Sequence, residues 1–251
     1  MSILLLSDAH LRGLTDPNQA ELIAFLQASS FDELVIVGDL FDIWFVPGGS
    51  VPIQGLPVLK LLMDVVESGR SVTWVQGNHD WVAGVDSLGI QVCDRWEAVI
   101  GGRRVVAVHG DEGADPSRSH AMLDRLIHSR LASIGGRALG PARVWAIGKW
   151  VSSWSRGRPH DDHQEVLLRQ NVLADRLLMD CDVVIMGHSH CPGRLPRPQG
   201  TLLNLGDWLE HRSFARIDAG EIQLYRWMDG KEVPLPDGPP QRWLRYDRGP
   251  Q

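Results

Sequence analysis

Ile3-Leu4-Leu5-Leu6-Ser7-Asp8-Ala9-His10 decides how the rest of the chain is read. Four apolar residues are too few for a helix and suit a strand buried on both faces. The run stops at a carboxylate and an imidazole two positions apart. The same unit then returns four times. Leu34-Val35-Ile36-Val37 ends at Gly38-Asp39, and Val72-Thr73-Trp74-Val75 ends at Gly77-Asn78-His79-Asp80. Val105-Val106-Ala107-Val108 ends at His109-Gly110-Asp111, and Val183-Val184-Ile185-Met186 ends at Gly187-His188-Ser189-His190. Apolar strands that end in polar residues are the pattern of an α/β fold, whose sites gather outside the carboxyl ends of its strands.

Spacing supports this reading. Asp8 to Asp39 is 31 residues, Asp39 to Asn78 is 39, and Asn78 to His109 is 31. One strand, its connection and the next strand take about 30 residues or more. The connections carry helix signals. Asp16-Pro17 opens one before Leu22, Ile23, Phe25 and Leu26, and Val58 to Val66 forms another. His109 to His188 is 79 residues, too long for one unit, so an insertion is expected at 113–180. Its last part, Val166 to Met179, has helical spacing, and two antiparallel strands are expected around Asp218-Ala219-Gly220. From Asp229 to Gln251 the chain is Pro-rich and reads as an extended tail. The whole, 1–251, is read as one domain.

Composition narrows the class. The chain has 251 residues, 43% hydrophobic and 22% charged, which are ordinary globular values. Three cysteines, Cys93, Cys181 and Cys191, have no C-x-x-C spacing and make neither a disulfide framework nor a thiolate zinc site. Ile3-Leu4-Leu5-Leu6 meets Ser7 and Asp8 at once, so no secretory leader is expected, and no apolar run reaches the roughly 20 residues a membrane span needs. The expectation is an intracellular, cytoplasmic protein, at most peripheral on a membrane. The net charge of −6 argues against a nucleic-acid-coating role. That average hides a split, because residues 125–158 carry seven Lys or Arg and no Asp or Glu.

The strand-end set is Asp8, His10, Asp39, Asn78, His109, His188 and His190. Carboxylate, imidazole and amide oxygen without thiolate suit a divalent ion such as Mn, Fe or Zn. Seven side chains are too many for one tetrahedral ion and suit a pair of ions, with Asp39 able to bridge them. Such a pair can hold an attacking water and the phosphoryl oxygens of a displacement.

Asp8-x-His10, Gly38-Asp39-x-x-Asp42, Gly77-Asn78-His79-Asp80, His109-Gly110 and Gly187-His188-x-His190 together resemble the ordered signature of the calcineurin-like metallophosphoesterases. The resemblance covers 1–112 and 181–217. It implies a two-sheet sandwich flanked by helices, with two divalent ions, manganese first. It implies Asp8, His10, Asp39 and His190 on one ion, and Asp39, Asn78, His109 and His188 on the other. It makes His79 the acid or transition-state stabiliser, oriented by Asp42. Independently, a histidine charged near neutral pH can donate to a phosphoryl oxygen.

The long insertion, Phe41-Asp42-Ile43-Trp44 and Leu205-Gly206-Asp207-Trp208 resemble the UDP-2,3-diacylglucosamine hydrolase branch, which carries a helical cap there. That branch cleaves a UDP-diacyl sugar to UMP and an acylated sugar phosphate during lipid A synthesis. Its Gly-Asn motif carries Arg where this chain has His79. The insertion suits a lipid diphosphate: Arg143, Lys149, Arg156 and Arg158 can grip phosphates. Trp145 and Trp150 offer apolar surface to acyl chains or a membrane interface, and Asp115 is placed to bind sugar. A helical hairpin that buries its Trp residues and leaves its basic face in solvent accounts for the same composition. The alternatives are another phosphoesterase of the same superfamily, such as a nucleotide phosphodiesterase or DNA-repair nuclease, and a non-catalytic scaffold with the same fold.

Overall fold

The structure, a computed structural model, describes residues 1–45, 53–81, 84–111 and 163–238. Each anticipated apolar run is a strand. They are β1 (Ile3–Leu6), β2 (Glu33–Val37), β4 (Ser71–Val75), β8 (Arg103–Ala107) and β9 (Val183–Met186). Strands β1, β2 and β4 run parallel in a seven-stranded sheet, and β8 and β9 run parallel in a five-stranded one. The remaining partners of the first sheet are β6 (Gln91–Cys93), β12 (Ser213–Asp218), β13 (Glu221–Met228) and β14 (Lys231–Pro234). Those of the second are β7 (Trp96–Ile100), β10 (Gly193–Arg197) and β11 (Gly200–Asn204). A two-residue pair, β3 (Trp44–Phe45) and β5 (Asp80–Trp81), lies apart from both.

Alternate residues of each central strand serve different cores, which is why the runs are apolar throughout. Ile3, Leu5, Val35 and Val37 face Val105, Ala107, Val183 and Ile185 of the other sheet. Leu4, Leu6, Leu34 and Ile36 face outward onto α1 (Pro17–Ala28) and α2 (Leu56–Glu67) through Leu22, Phe25, Leu59 and Leu62. Val106, Val184 and Met186 face α3 (His163–Leu177) through Leu167, Leu173 and Ala174. The result is an α/β sheet-on-sheet sandwich with a helical layer on each outer face, the architecture expected from the sequence. Asp16 caps α1 by accepting from the Asn18 N–H at 3.0 Å, with Pro17 in the first turn.

Of the insertion expected at 113–180, residues 113–162 lie outside the described residues, and α3 falls in the remainder. Asp115, Arg143, Trp145, Lys149, Trp150, Arg156 and Arg158 are therefore outside the described residues as well. Of the Pro-rich segment from Asp229, the part up to 238 is described, and it contributes β14 as an edge strand.

Candidate metal centre

Parallel pairing aligns the carboxyl ends of β1, β2 and β4, and those of β8 and β9, along one edge of the sandwich. The loops leaving them continue to bond to one another: Asp8 N–H donates to Gly38 O at 3.1 Å and His10 N–H to Asp39 O at 3.0 Å. Gly187 N–H donates to His109 O at 3.0 Å and ties the second sheet's loops together. Asp8, His10, Asp39, His188 and His190 all have positive φ, between 42° and 63°. Such backbone is costly for non-glycine residues and concentrates at functional sites.

Each buried carboxylate commits one oxygen to the backbone and leaves the other free for the site. Asp8 Oδ2 accepts from His188 N–H at 2.8 Å, and Asp39 Oδ1 accepts from His79 N–H at 3.0 Å. Asp8 Oδ1 is buried and makes no hydrogen bond, although His190 Nε2 is 3.1 Å away. Asp39 Oδ2 lies 3.4 Å from His109 Nε2, 3.7 Å from His10 Nε2 and 3.9 Å from His79 Nε2. It is therefore the atom common to both halves of the set.

The histidines are oriented the same way. His109 Nδ1 donates to the Val37 carbonyl at 3.0 Å, so the neutral ring turns a bare Nε2 toward Asn78 Oδ1 at 3.2 Å and Asp39 Oδ2. His10 Nε2 and His190 Nε2 approach to 3.2 Å beside Asp8 Oδ1. Lone pairs that converge on one another, with no hydrogen between them, need a cation. Three overlapping groups have ligand atoms within 4.8 Å of one another: Asp8, His10 and His190; His10, Asp39 and His79; Asp8, Asp39 and His109. The donor set fits divalent ions held by oxygen and nitrogen. His188 belongs to none of the three; its ring packs edge-on to His109 at 5.1 Å.

Without an ion, protons fill that need. Burial opposes charge on Asp8 and Asp39, but His190 and His109 beside Asp8, and His109 and His79 beside Asp39, hold both carboxyls well below the ordinary range. Burial likewise pushes the His109 and His190 imidazoles down, yet Asp39 and Asp8 lift His109 well above its usual value, and Asp8 lifts His190 to about 9. Burial and the neighbouring His109 charge depress His188 to about 4.

The site grades from buried to open. Asp8, Asp39 and His109 are buried, His79 and His190 are partly exposed, and Asn78 is exposed. The open side of the site is therefore the one formed by Asn78, His79 and His190. His79 Nδ1 donates to the backbone carbonyl of Asp42 at 2.7 Å, which leaves Nε2 for the site. This contact to His79 is made by the Asp42 main chain.

Other residues of the site carry roles that the sequence reading did not assign. Asp80 Oδ2 accepts from Asp39 N–H at 2.6 Å, from Trp74 Nε1 at 3.1 Å and from Gly77 N–H at 3.3 Å. Burial and the nearby Asp39 charge push its carboxyl up to about 7. Buried Asp207 accepts from Glu210 N–H and binds the His211 ring, while Trp208 N–H donates to Asp8 O at 3.2 Å. Burial disfavours charge on Asp207, but its bonds from His211 and Glu210 hold its pKa down. Among the described residues, no helix is long and apolar enough to cross a membrane.

The calcineurin-like phosphoesterase profile matches residues 1–192. A UDP-2,3-diacylglucosamine hydrolase of Aeromonas hydrophila is 27% identical over 240 residues, covering 89% of this chain and 98% of that one. A protein of the same name from Stenotrophomonas maltophilia is 28% identical, with 89% and 98% covered. Among solved structures, the phosphoesterase Yfce from E. coli is similar at 17% identity and a TM-score of 0.47, with 93% of this chain and 97% of that chain covered.

Proposed function

The chain belongs to the calcineurin-like phosphoesterase family and is a metal-dependent phosphoesterase, and from that premise we propose that it hydrolyses UDP-2,3-diacylglucosamine to UMP and the acylated sugar 1-phosphate, a step of lipid A synthesis. One observation carries the reaction type. Asp8 Oδ1, which has no hydrogen-bond partner, Asp39 Oδ2 and the Nε2 atoms of His10, His109 and His190 converge at the strand ends. The hydrolase relatives over nine-tenths of the chain support the substrate.

Asp8, His10, Asp39 and His190 would hold one divalent ion, and Asp39, Asn78, His109 and His188 the other, with manganese first among the metals such donors accept. When bound, two such ions supply positive charge to the phosphoryl oxygens and acidify the attacking water. Water adds across one P–O bond of the diphosphate. His79, fixed through Nδ1 by the Asp42 carbonyl, presents Nε2 to the substrate side. In its protonated form it donates to a phosphoryl oxygen or to the departing phosphate. Residues 113–180 serve as a cap on a single domain, in which Arg143, Lys149, Arg156 and Arg158 bind the diphosphate, Trp145 and Trp150 the acyl chains and Asp115 the sugar. The basic, Trp-bearing stretch would also bring a cytoplasmic protein to the membrane surface.

The test is purified protein with Mn²⁺ and UDP-2,3-diacylglucosamine, with UMP release as the readout. Stoichiometric UMP is expected. Activity on generic phosphodiesters without UMP release would sink the substrate assignment and favour a nucleotide phosphodiesterase or nuclease. His79, standing where the hydrolase branch carries Arg, is the residue that favours that second reading.

A further inference from the structure

We propose that Gln170 and Asn204 are positioning residues for this centre, holding the Gly187-His188-Ser189-His190 loop in the strained form that presents its two histidines. The inference rests on the metal-centre part of the proposed function and not on the substrate. Ser189 N–H donates to Gly187 O at 2.7 Å across His188, whose φ is 63°. A bond from residue i+2 to residue i with positive φ between them is the rarer and strained hand of γ-turn. His190 follows at φ 54°. Such backbone persists only where its surroundings over-determine it.

Two buried amides do so here. Asn204 Nδ2 donates to Gly187 O and to Ser189 Oγ, each at 2.9 Å, and its Oδ1 accepts from Gly206 N–H at 2.9 Å. Gln170 Nε2 donates to the same Gly187 O at 2.8 Å. Asn204 is fully buried and Gln170 is 1% exposed. An amide costs free energy to bury, and an apolar side chain at either place would pack without that cost. Gln170 also lies against the loop after β8: a Cβ on Gly110 would stand 2.6 Å from its Nε2. One side chain of α3 therefore touches both loops through which the second sheet delivers His109, His188 and His190. In chain order, α3 directly follows residues 113–162, so the helix that closes the insertion is bonded to the centre.

The experiment compares Gln170→Met and Asn204→Ala with the parent chain, each stripped of metal and titrated with Mn²⁺ by calorimetry, with thermal unfolding alongside. Gln170→Met keeps length and helix preference and removes the amide, both the Nε2 donor to Gly187 O and the Oε1 that accepts from Asn204 Nδ2 at 3.5 Å. It should bind at least one Mn²⁺ about 10- to 100-fold more weakly, as for loss of other partners behind a ligand. Asn204→Ala should lose more. Should Asn204→Ala fail to fold, Gln170→Met decides. A folded Gln170→Met with parental Mn²⁺ affinity overturns the inference, even if its melting temperature falls, since that is the mark of packing alone. Parent protein that binds Mn²⁺ yet releases no UMP from UDP-2,3-diacylglucosamine overturns the substrate reading and leaves this comparison intact.

Discussion

Asp80 shows how a residue away from the lone pairs can govern them. Its Oδ2 gathers three donors, two of them buried, among them the backbone N–H of Asp39, the residue shared by both halves of the centre. Asp80→Ala orphans those donors, at a cost of about 1–3 kcal/mol. At this chain length that lowers the melting temperature by about 2–4 °C per kcal/mol. Asp80→Asn keeps an acceptor and resembles the protonated acid, which burial and the Asp39 charge already favour. Thermal unfolding of the two variants should therefore rank Asn well above Ala, and an equal loss in both would remove Asp80 from this role. The candidate ligands were legible because each follows an apolar run. Asp80, Gln170 and Asn204 were not, because their work is done through backbone partners from distant parts of the sequence. Asn204 did leave a trace: it is the polar break in Leu202-Leu203-Asn204-Leu205, an otherwise apolar run that is buried throughout.

At the scale of strands and their loops, the glycines beside the ligands set how closely two motifs approach. A Cβ on Gly77 would lie 2.3 Å from Asp39 Oδ1 and 2.8 Å from Asp39 N, and one on Gly187 would lie 2.4 Å from Asp8 Oδ2. Gly102 is the opposite case, with φ +79° and nothing within 4 Å of a modest addition. Gly77→Ala should therefore displace Asp39 and abolish stoichiometric Mn²⁺ binding. Gly102→Ala should cost about 1 kcal/mol or somewhat more of backbone strain and leave Mn²⁺ binding unchanged. Metal content after gel filtration distinguishes them, and intact binding in Gly77→Ala would show that the motifs can separate without consequence. The same scale explains which strands the sequence disclosed. The five central strands are buried on both faces and read as apolar runs. Strands β6, β7 and β10 are short or half-exposed edge elements with mixed composition, and no period identifies them. The division into two sheets came from family resemblance, since local pattern does not say which strand pairs with which.

Over the whole molecule, the centre is where the fold concentrates opposed charge, so its protonation sets how stability responds to pH. Asp8 and Asp39 have depressed carboxyl pKa values, so their contribution is present above the unfolded value near 3.8 and lost as pH falls below it. His109 and His190 are raised, so theirs is full below 6.5 and lost as pH rises, through about 9 for His190. Between those limits Asp80, raised to about 7, and His188, lowered to about 4, act in opposite directions. The metal-free protein should therefore hold a plateau of stability from about pH 4 to 6.5 and lose stability toward pH 9. Mn²⁺ offsets that loss over the interval. Binding must displace the protons on the raised imidazoles, so affinity should climb about tenfold per pH unit for each proton released. A bound ion adds stability as the logarithm of its concentration over its dissociation constant. The melting temperature with Mn²⁺ should thus pull away from that with chelator as pH rises from 6.5 to 9, and the gap should close toward pH 5. Parallel curves for the two conditions would mean that ions and protons do not compete for these atoms, and the centre built from Asp8, Asp39, His109 and His190 would fall with that result.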